Sequence, residues 1–132
     1  MRYWITTHYP HPVPDTAPWH IYFRKPPATK PDVGDPVLFY ETRVPQADRD
    51  RLGRKAIVCA AVVSGTVMPM RGIGPWVYQI PCDRHQSGRP VPLDAVRKII
   101  AGPFFRQTLR QITREQYQQL AKQMGIGREG PQ

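Results

Sequence analysis

The sequence holds few residues whose types and spacing could support catalysis. It has no G-x-S-x-G nucleophile motif, no Walker-type phosphate loop and no H-E-x-x-H zinc motif. Glu41 falls at the end of a predicted strand and could serve as a general base, but the sequence shows no partner acid or nucleophile for it. We therefore expect a protein that is not an enzyme.

Two groups of possible metal ligands are present, and neither has the spacing of a metal site. His8, His11 and Asp15 fall in a proline-rich segment that imposes no coordination geometry. Cys82 and His85 form a single C-x-x-H, which is half of a zinc site without its other half. A buried thiol and a surface imidazole explain that pair better, so we expect neither a metal nor another cofactor.

Aromatic residues at predicted strand ends and in adjacent loops are more informative. Each of them alone is more simply a residue of the core or its rim. Together with a basic surface they suit a pocket that clamps a planar base, where each stacking contact contributes about 1–3 kcal/mol. These aromatic residues are Trp4, Trp19, Tyr40, Trp76 and Tyr78. Short polar residues that could hydrogen-bond the base edge beside them are Thr6, Thr7, His8, Glu41 and Thr42.

The charge of the chain favours a polyanionic partner. The formal net charge is +9, and the part from Arg84 onward carries nine basic and three acidic residues. Phosphate neutralisation releases counterions and raises affinity for nucleic acid, although a charge that only maintains solubility is the simpler alternative. Our candidates for phosphate contacts are Arg97, Lys98, Arg106, Arg110 and Arg114. The last three are spaced by four, so they would share one face if their segment were helical.

The elements that must position these residues are predicted from hydrophobic patterning. Residues 2–7, 35–42, 55–64 and 75–81 read as strands, with a further short strand possible within 65–74. The strand at 55–64 is apolar almost throughout, which is typical of a strand buried on both faces. Helices are expected at 46–52, at 93–101 and after Thr113, where Thr113 and Gln116 form a capping box and Gly125 ends the helix. This order predicts a mixed α+β domain around a small, strongly curved sheet.

Length and composition indicate a single soluble domain. The 132 residues suit one domain over 1–126 with a short flexible tail at 127–132. The two cysteines read as reduced thiols, with one disulfide as the lesser alternative. The longest apolar run, 56–63, is too short for a membrane span, and the apolar patch near the N-terminus is too short for a signal peptide. We expect a cytoplasmic protein without membrane association.

The chain resembles EVE domains in a series of segments that occur in the family's order. MRYWITTHYP is similar to the family's first strand and pocket turn, GDPVLFYET to its G-D-x-V-x-F-Y strand, and KAIVCAAVV to the strand that follows. PWVYQIP and VPLDAVRKI resemble its later strand and proline-led helix, and FFRQTLRQITREQYQQL its closing segment. The likeness covers about residues 1–124. The family's Lys-Ser pair after the first strand is replaced here by Thr7 and His8.

The resemblance implies a fold and a function. EVE domains belong to the PUA-like superfamily with YTH and ASCH domains, which implies a pseudobarrel with a curved mixed sheet of five to six strands and several short helices. It also implies a non-catalytic domain that binds a modified base in DNA or RNA: methylated or hydroxymethylated cytosine, or methylated adenine. On this resemblance residues 37–39 fill the barrel and residues 40–42 form part of the pocket rim. The implied pocket residues are Thr7, His8, Trp19, Tyr40, Thr42 and Trp76.

Two other functions remain open at this stage. An ASCH-like amidohydrolase acting on a modified nucleoside would need a lysine beside a threonine and a glutamate. Glu41 and Thr42 are present, and Lys25 and Lys30 are the only lysines in the loops before them. A protein-interaction module with an aromatic groove for a peptide is the third alternative, and it predicts no salt-dependent binding to nucleic acid.

Overall fold

The computed structural model describes residues 1–8, 19–23, 29–42, 54–69, 78–101 and 109–127. These residues form eight strands and two helices. In chain order they are β1 (Tyr3–His8), β2 (Ile21–Phe23), β3 (Pro36–Glu41), β4 (Ala56–Val63), β5 (Met68–Pro69), β6 (Tyr78–Ile80), β7 (Cys82–Pro92), α1 (Leu93–Ile99), β8 (Leu109–Ile112) and α2 (Arg114–Met124). The predicted helix at 46–52 lies outside the described residues.

The strands form two sheets. The larger has the order β7-β4-β3-β1-β8, in which β1 and β3 run parallel and the other neighbours antiparallel. The smaller has the order β2-β6-β5 and is antiparallel. Both sheets are curved and neither closes into a barrel, so the predicted mixed α+β architecture around a small curved sheet is confirmed.

Each face of the larger sheet has its own hydrophobic core. The helix-side core joins alternate residues of the sheet, such as Ile5 and Leu38, to the two helices. The small-sheet core joins the intervening residues, such as Val37 and Phe39, to β2, β6 and Trp19. All eight residues of β4 are buried as a result, as its unbroken apolar run predicted. Residues 37–39 are buried as expected, although they divide between the two cores.

The turn before β3 ties this strand to the start of β1. Gly34 adopts φ of +96°, a conformation that L side chains rarely adopt, and it directs Asp35 inward. The buried Asp35 carboxylate accepts hydrogen bonds from the Trp4 indole Nε1 at 3.0 Å and from the Asp32 backbone N at 2.8 Å. Trp4 is therefore held in the protein interior, at the opposite end of β1 from His8.

The closing helix follows its local sequence signals. Thr113 Oγ1 accepts from the Gln116 backbone N at 3.1 Å, and the Gln116 side chain accepts from the Thr113 backbone N at 2.9 Å, so the capping box is present. Gly125 ends the helix in the left-handed conformation with φ of +77°. Neither α1 nor α2, the helices of the described residues, is long and apolar enough to cross a membrane.

Two features of the larger sheet differ from the sequence predictions. β7 was not expected, because most of its eleven residues are polar and exposed and it contains Gly88 and Pro90. Leu109–Ile112 is a strand, so the condition under which the arginines at spacing four would share a helical face is not met: Arg110 lies on β8, whereas Arg114 begins α2. Antiparallel pairing with β1 at this sheet edge outweighs the helical spacing of those residues.

Candidate functional site

Several strands of the larger sheet end or begin at the same edge. In the registers of neighbouring strands, His8 of β1 lies beside Glu41 of β3, Glu41 beside Ala56 of β4, and Ala56 beside Pro92 of β7. We call this the upper edge. The Thr42 backbone N donates to the His8 carbonyl at 2.9 Å, which continues the β1–β3 pairing one step beyond β3. Side chains of residues distant in sequence therefore meet here.

Four rings form an aromatic cluster at the upper edge, on the face of the smaller sheet. They are His8, Trp19, Tyr22 and Phe39. The His8 ring lies 4.5 Å from Trp19 in an edge-to-face arrangement and 5.2 Å from Tyr22, and the Trp19 ring lies 5.9 Å from Phe39. Offset and edge-to-face rings at these distances attract each other beyond the area they bury.

The members of the aromatic cluster differ in their accessibility. Trp19 is 5% exposed and Phe39 is fully buried, so these two rings form the floor of the cluster. His8 and Tyr22 are half-buried and form its accessible side. Burial raises the pKa of the Tyr22 phenol, with a smaller contribution from Cys82, and this keeps Tyr22 neutral at physiological pH. The accessible surface therefore offers one aromatic ring and one imidazole.

The segment that carries Trp19 is attached to β7 by two histidines. His85 Nε2 lies 2.6 Å from the Trp19 carbonyl oxygen, and since that oxygen can only accept, the imidazole is the donor. His20 Nδ1 accepts from the Cys82 backbone N at 3.0 Å. The two imidazole rings are 6.0 Å apart. The position of Trp19 thus depends on contacts with a strand more than sixty residues away in sequence.

The predicted pocket residues divide between the two faces of the sheet. His8 and Trp19 lie together in the aromatic cluster, and half-buried Thr42 follows β3 at the upper edge. Tyr40 is 2% exposed and belongs to the helix-side core, and Thr7, its partner in the β1–β3 register, shares that side. Trp76 lies outside the described residues. Tyr40 therefore lies on the opposite face of the sheet from His8 and Trp19, and its place in a pocket rim stays a prediction.

Glu41 is held in an ion pair. Its side chain is fully buried, its Oε1 accepts from the Arg54 backbone N at 2.8 Å and from Arg54 Nε at 3.2 Å, and its Oε2 accepts from Arg54 Nη2 at 3.1 Å. Both carboxylate oxygens are thus engaged. Lys30 lies at the other end of β1, where its carbonyl accepts from Arg2, so its ammonium is not beside Glu41. Lys25 lies outside the described residues.

The predicted phosphate contacts lie mainly around α1. Arg97 and Lys98 are exposed in its last turn, and Arg97 acts electrostatically on the Tyr40 phenol, whose pKa burial raises and the arginine lowers. Arg110 is half-buried on β8 and Arg114 is exposed at the start of α2. Arg106 lies outside the described residues. These side chains do not form a single row along one element.

Sequence reasoning missed several residues that the structure brings to the upper edge. Tyr22 and Phe39 complete the aromatic cluster, and Arg54 and Lys55 add positive charge beside Thr42. Lys55 also accepts from the Leu93 backbone N at 3.2 Å through its carbonyl, which links the edge to α1. The alternation of side chains along β1 and β3 is a sequence signal that could have placed Phe39 on the same face as His8. No such signal exists for Arg54 and Lys55, which the tertiary structure brings to the upper edge.

Neither cysteine has the surroundings of a reactive thiol. Cys59 and Cys82 are both free and buried. Burial raises the pKa of Cys82 from 9.0 to about 12, opposed by a hydrogen bond with the Ile21 backbone. His85 engages Trp19 rather than Cys82. Within the described part of the chain, no three His, Cys, Asp or Glu side chains lie together as a metal site requires.

We expect the thiols of the native protein to be almost unreactive. The raised pKa lowers the thiolate fraction of Cys82 about a thousandfold, and burial also blocks the reagent. A disulfide-exchange reagent at mildly alkaline pH should therefore modify two thiols in denaturant and none quickly in the folded protein. Modification of either thiol in the folded state at the rate of free glutathione would contradict this picture.

Comparisons with known proteins define the fold. No protein-family model and no curated protein matches the chain. Among solved structures, the ASCH protein of Zymomonas mobilis superposes with a TM-score of 0.66 at 16% identity, covering 91% of this chain and 94% of that one. The protein Atu2648 of Agrobacterium tumefaciens superposes with a TM-score of 0.53 at 16% identity, over the full length of both chains. The chain therefore shares its fold, with the curved mixed sheet that the sequence predicted, with these solved structures.

Proposed function

We propose that this chain is an EVE-type domain that binds nucleic acid and recognises a single modified base without catalysis. The ligand is methylated or hydroxymethylated cytosine, or methylated adenine, in DNA or RNA. The observation that supports this proposal is the aromatic cluster at the upper edge, where His8 and Tyr22 are accessible above Trp19 and Phe39. The resemblance to EVE domains and the PUA-like fold agree with it.

The energetics of the aromatic cluster suit a base taken out of its stack. Extruding a base costs a few kcal/mol, and stacking on aromatic side chains returns about 1–3 kcal/mol for each contact. The contacts of His8 with Trp19 and Tyr22 limit its motion before a ligand arrives. Less side-chain entropy is then lost on binding, so more of the stacking energy contributes to affinity.

Selectivity for a modified base over a plain one requires more than burial of the added methyl or hydroxymethyl carbon. Burying one methyl group contributes only about 0.8 kcal/mol. The remainder must come from excluding water that an unmodified base would retain, and from hydrogen bonds to the base edge. In the aromatic cluster, the His8 imidazole and the Tyr22 hydroxyl are polar groups of the kind required, and Nε2 of His8 is itself buried.

Basic residues provide a path for the phosphates from the upper edge to α1. Arg54 and Lys55 lie at the edge, and Arg97 and Lys98 are exposed on the helix that starts beside Lys55. Because α1 covers the opposite face of the sheet from the aromatic cluster, the nucleic-acid backbone crosses the edge in this arrangement. Arg110, Arg114 and Arg106 remain predicted contacts.

The amidohydrolase alternative has less support. A catalytic glutamate needs an oxygen free to exchange a proton, whereas both oxygens of Glu41 accept from Arg54. Of the loop lysines, Lys30 lies at the far end of β1 and Lys25 lies outside the described residues, whereas Lys55, at the upper edge beside Thr42, is the lysine that this alternative would use. Turnover of an N-acylated cytidine by the wild-type chain would nevertheless reverse the order of the two proposals.

Fluorescence anisotropy with short oligonucleotides tests the proposal. The panel contains plain, methylcytosine, hydroxymethylcytosine and methyladenine sequences, as DNA and as RNA, at two salt concentrations. Tyr22→Ala should weaken binding of the preferred oligonucleotide about 5- to 100-fold, as expected for a lost stacking contact, and Trp19→Ala should weaken it by removing the ring that supports His8. Tyr78→Ala is the matched control, because Tyr78 is a half-buried tyrosine of the same small sheet that stacks on Phe23 at 6.2 Å. Equal affinity for every oligonucleotide would contradict base recognition.

Two lysine variants distinguish a phosphate contact at a defined place from the effect of the protein's net charge. Lys98→Ala should weaken binding to all oligonucleotides and reduce the slope of log K against log salt by about 1. Lys30→Ala removes the same charge at the opposite end of β1 and should leave that slope unchanged. If both variants change the slope equally, binding depends on net charge and not on a path beside α1.

A further inference from the structure

The attachment of Trp19 to β7 has a feature that ordinary packing does not require. Two titratable imidazoles form the link: His85 donates to the Trp19 carbonyl, and His20 Nδ1 accepts from the Cys82 backbone N–H. The second bond exists only while His20 is neutral, with its proton on Nε2, because a protonated imidazole has no acceptor. In this link His85 is thus a hydrogen-bond donor and His20 is a hydrogen-bond acceptor.

We infer that His20 and His85 are positioning residues that hold Trp19 under the base site, and that protonation of His20 breaks this link, so that base recognition is lost in mild acid. The inference deepens the proposed function and rests on it, since it assigns a regulation to the same aromatic cluster. It concerns the segment of Trp19 and His20 and its contacts with β7. The phosphate path around α1 is not part of it.

Burial favours the neutral form of His20. The pKa of His20 is lowered from its ordinary value of 6.5, first by burial and second by the nearby His85. The unfolded chain therefore binds this proton more readily than the folded one, and the linked stability falls as pH drops through 6.5 toward the folded-state pKa. Protonation turns Nδ1 into a donor that faces the Cys82 N–H, and it places a cation 6.0 Å from the His85 ring.

The charge that acts on the pKa of His20 is that of His85, which opposes protonation, whereas Asp83 is exposed and acts on Cys82. On β7 the groups around His20 are His85, the Cys82 thiol and Asp83. The raised pKa of Cys82, about 12, keeps the thiol neutral. On β2, the Tyr22 ring lies 6.3 Å from His20 and its raised pKa keeps the phenol neutral. His8 of β1 contacts Tyr22 and Trp19 and adds positive charge when protonated.

The inference predicts a pH effect opposite to that of simple electrostatics. Protonating histidines makes the chain more positive, which by itself strengthens phosphate binding. If the link controls Trp19, the part of the affinity that depends on the base must instead decrease in acid. An oligonucleotide with an abasic site at the recognised position isolates the phosphate part.

The first test uses the protein alone. In ¹⁵N–¹H spectra recorded from about pH 7.5 to about pH 5, the Cys82 amide and the His20 ring should titrate together, with a midpoint below 6.5. His20→Asn keeps an acceptor oxygen near the position of Nδ1 and cannot titrate, so the Cys82 amide should become insensitive to pH. A Cys82 amide that stays constant while His20 titrates would overturn the inference, whether or not the chain binds nucleic acid.

The second test uses the oligonucleotide that the panel identifies as preferred. For the wild type, the ratio of affinity for this oligonucleotide to affinity for its abasic counterpart should fall about tenfold from about pH 7.5 to about pH 5.5. The ratio should stay constant with pH in His20→Asn. His85→Ala should lower the ratio at both pH values, and His85→Gln, which retains a donor, should restore it. A wild-type ratio that is constant with pH would overturn the inference, while a ratio of one at neutral pH would reject the proposed function itself.

Discussion

Asp35→Ala is expected to lower the free energy of unfolding by about 3–5 kcal/mol. The Asp35 side chain is 4% exposed and accepts hydrogen bonds from the Trp4 indole, the Asp32 backbone N and, at 3.3 Å, the Arg2 backbone N. Alanine would leave the buried indole N–H without its acceptor and free the turn that sets the entry to β3. Unsatisfied buried donors and lost bonds to a charged group are each costly, which explains the size of the effect.

Urea unfolding followed by circular dichroism measures this loss. Asp32→Ala is the matched control, because Asp32 is 78% exposed and contributes its side chain only to a surface ion pair with Arg2 at 3.0 Å. That pair is worth at most about 1 kcal/mol. If the two variants lose equal stability, the buried carboxylate does not organise the turn as described.

Arg54→Ala has the second large expected effect, a loss of about 2–4 kcal/mol in the free energy of unfolding. Glu41 is fully buried, and the guanidinium donates two hydrogen bonds to its carboxylate. Removing the guanidinium takes two charge-assisted hydrogen bonds from a buried carboxylate. Arg54 is itself 37% exposed, so the cost is smaller than for a fully buried pair.

A double-mutant cycle tests this interpretation. Glu41→Gln removes the buried charge while retaining its shape, so Arg54→Ala should cost clearly less in that background than in the wild type. Lys98→Ala provides the control for loss of an exposed cation and should change stability by less than about 0.5 kcal/mol. Equal costs of Arg54→Ala in both backgrounds would show that the arginine contributes through packing rather than through the ion pair.

The sequence predicts those elements of the fold that carry a local signal. β4 is apolar at every position, and α2 has a capping box and a terminating glycine, so both are found where expected. β7 carries no such signal, because an exposed strand at the edge of a sheet has no buried face to produce alternation. β8 was not predicted because its four residues carry no clear alternation, and its pairing with β1 depends on contacts distant in sequence.

The same distinction applies to the candidate site. The sequence drew attention to His8 and Trp19, which the structure places in contact. It also grouped Tyr40 with them, although neighbouring residues of a strand face opposite sides and Tyr40 lies across the sheet. The two-residue period of the strand alone is enough to separate Tyr40 from Phe39. The link from His20 and His85 was not predictable, since it joins segments more than sixty residues apart.

The position of the bound base distinguishes base recognition from binding by charge alone. Nuclear Overhauser effects should be recorded between the protons of the preferred oligonucleotide and the aromatic protons of the protein. The account predicts contacts from one base to the rings of His8 and Tyr22, and none from that base to the ring of Tyr78. Contacts confined to side chains of α1, with none to His8 or Tyr22, would contradict it, because the nucleic acid would then be held by charge without a base site.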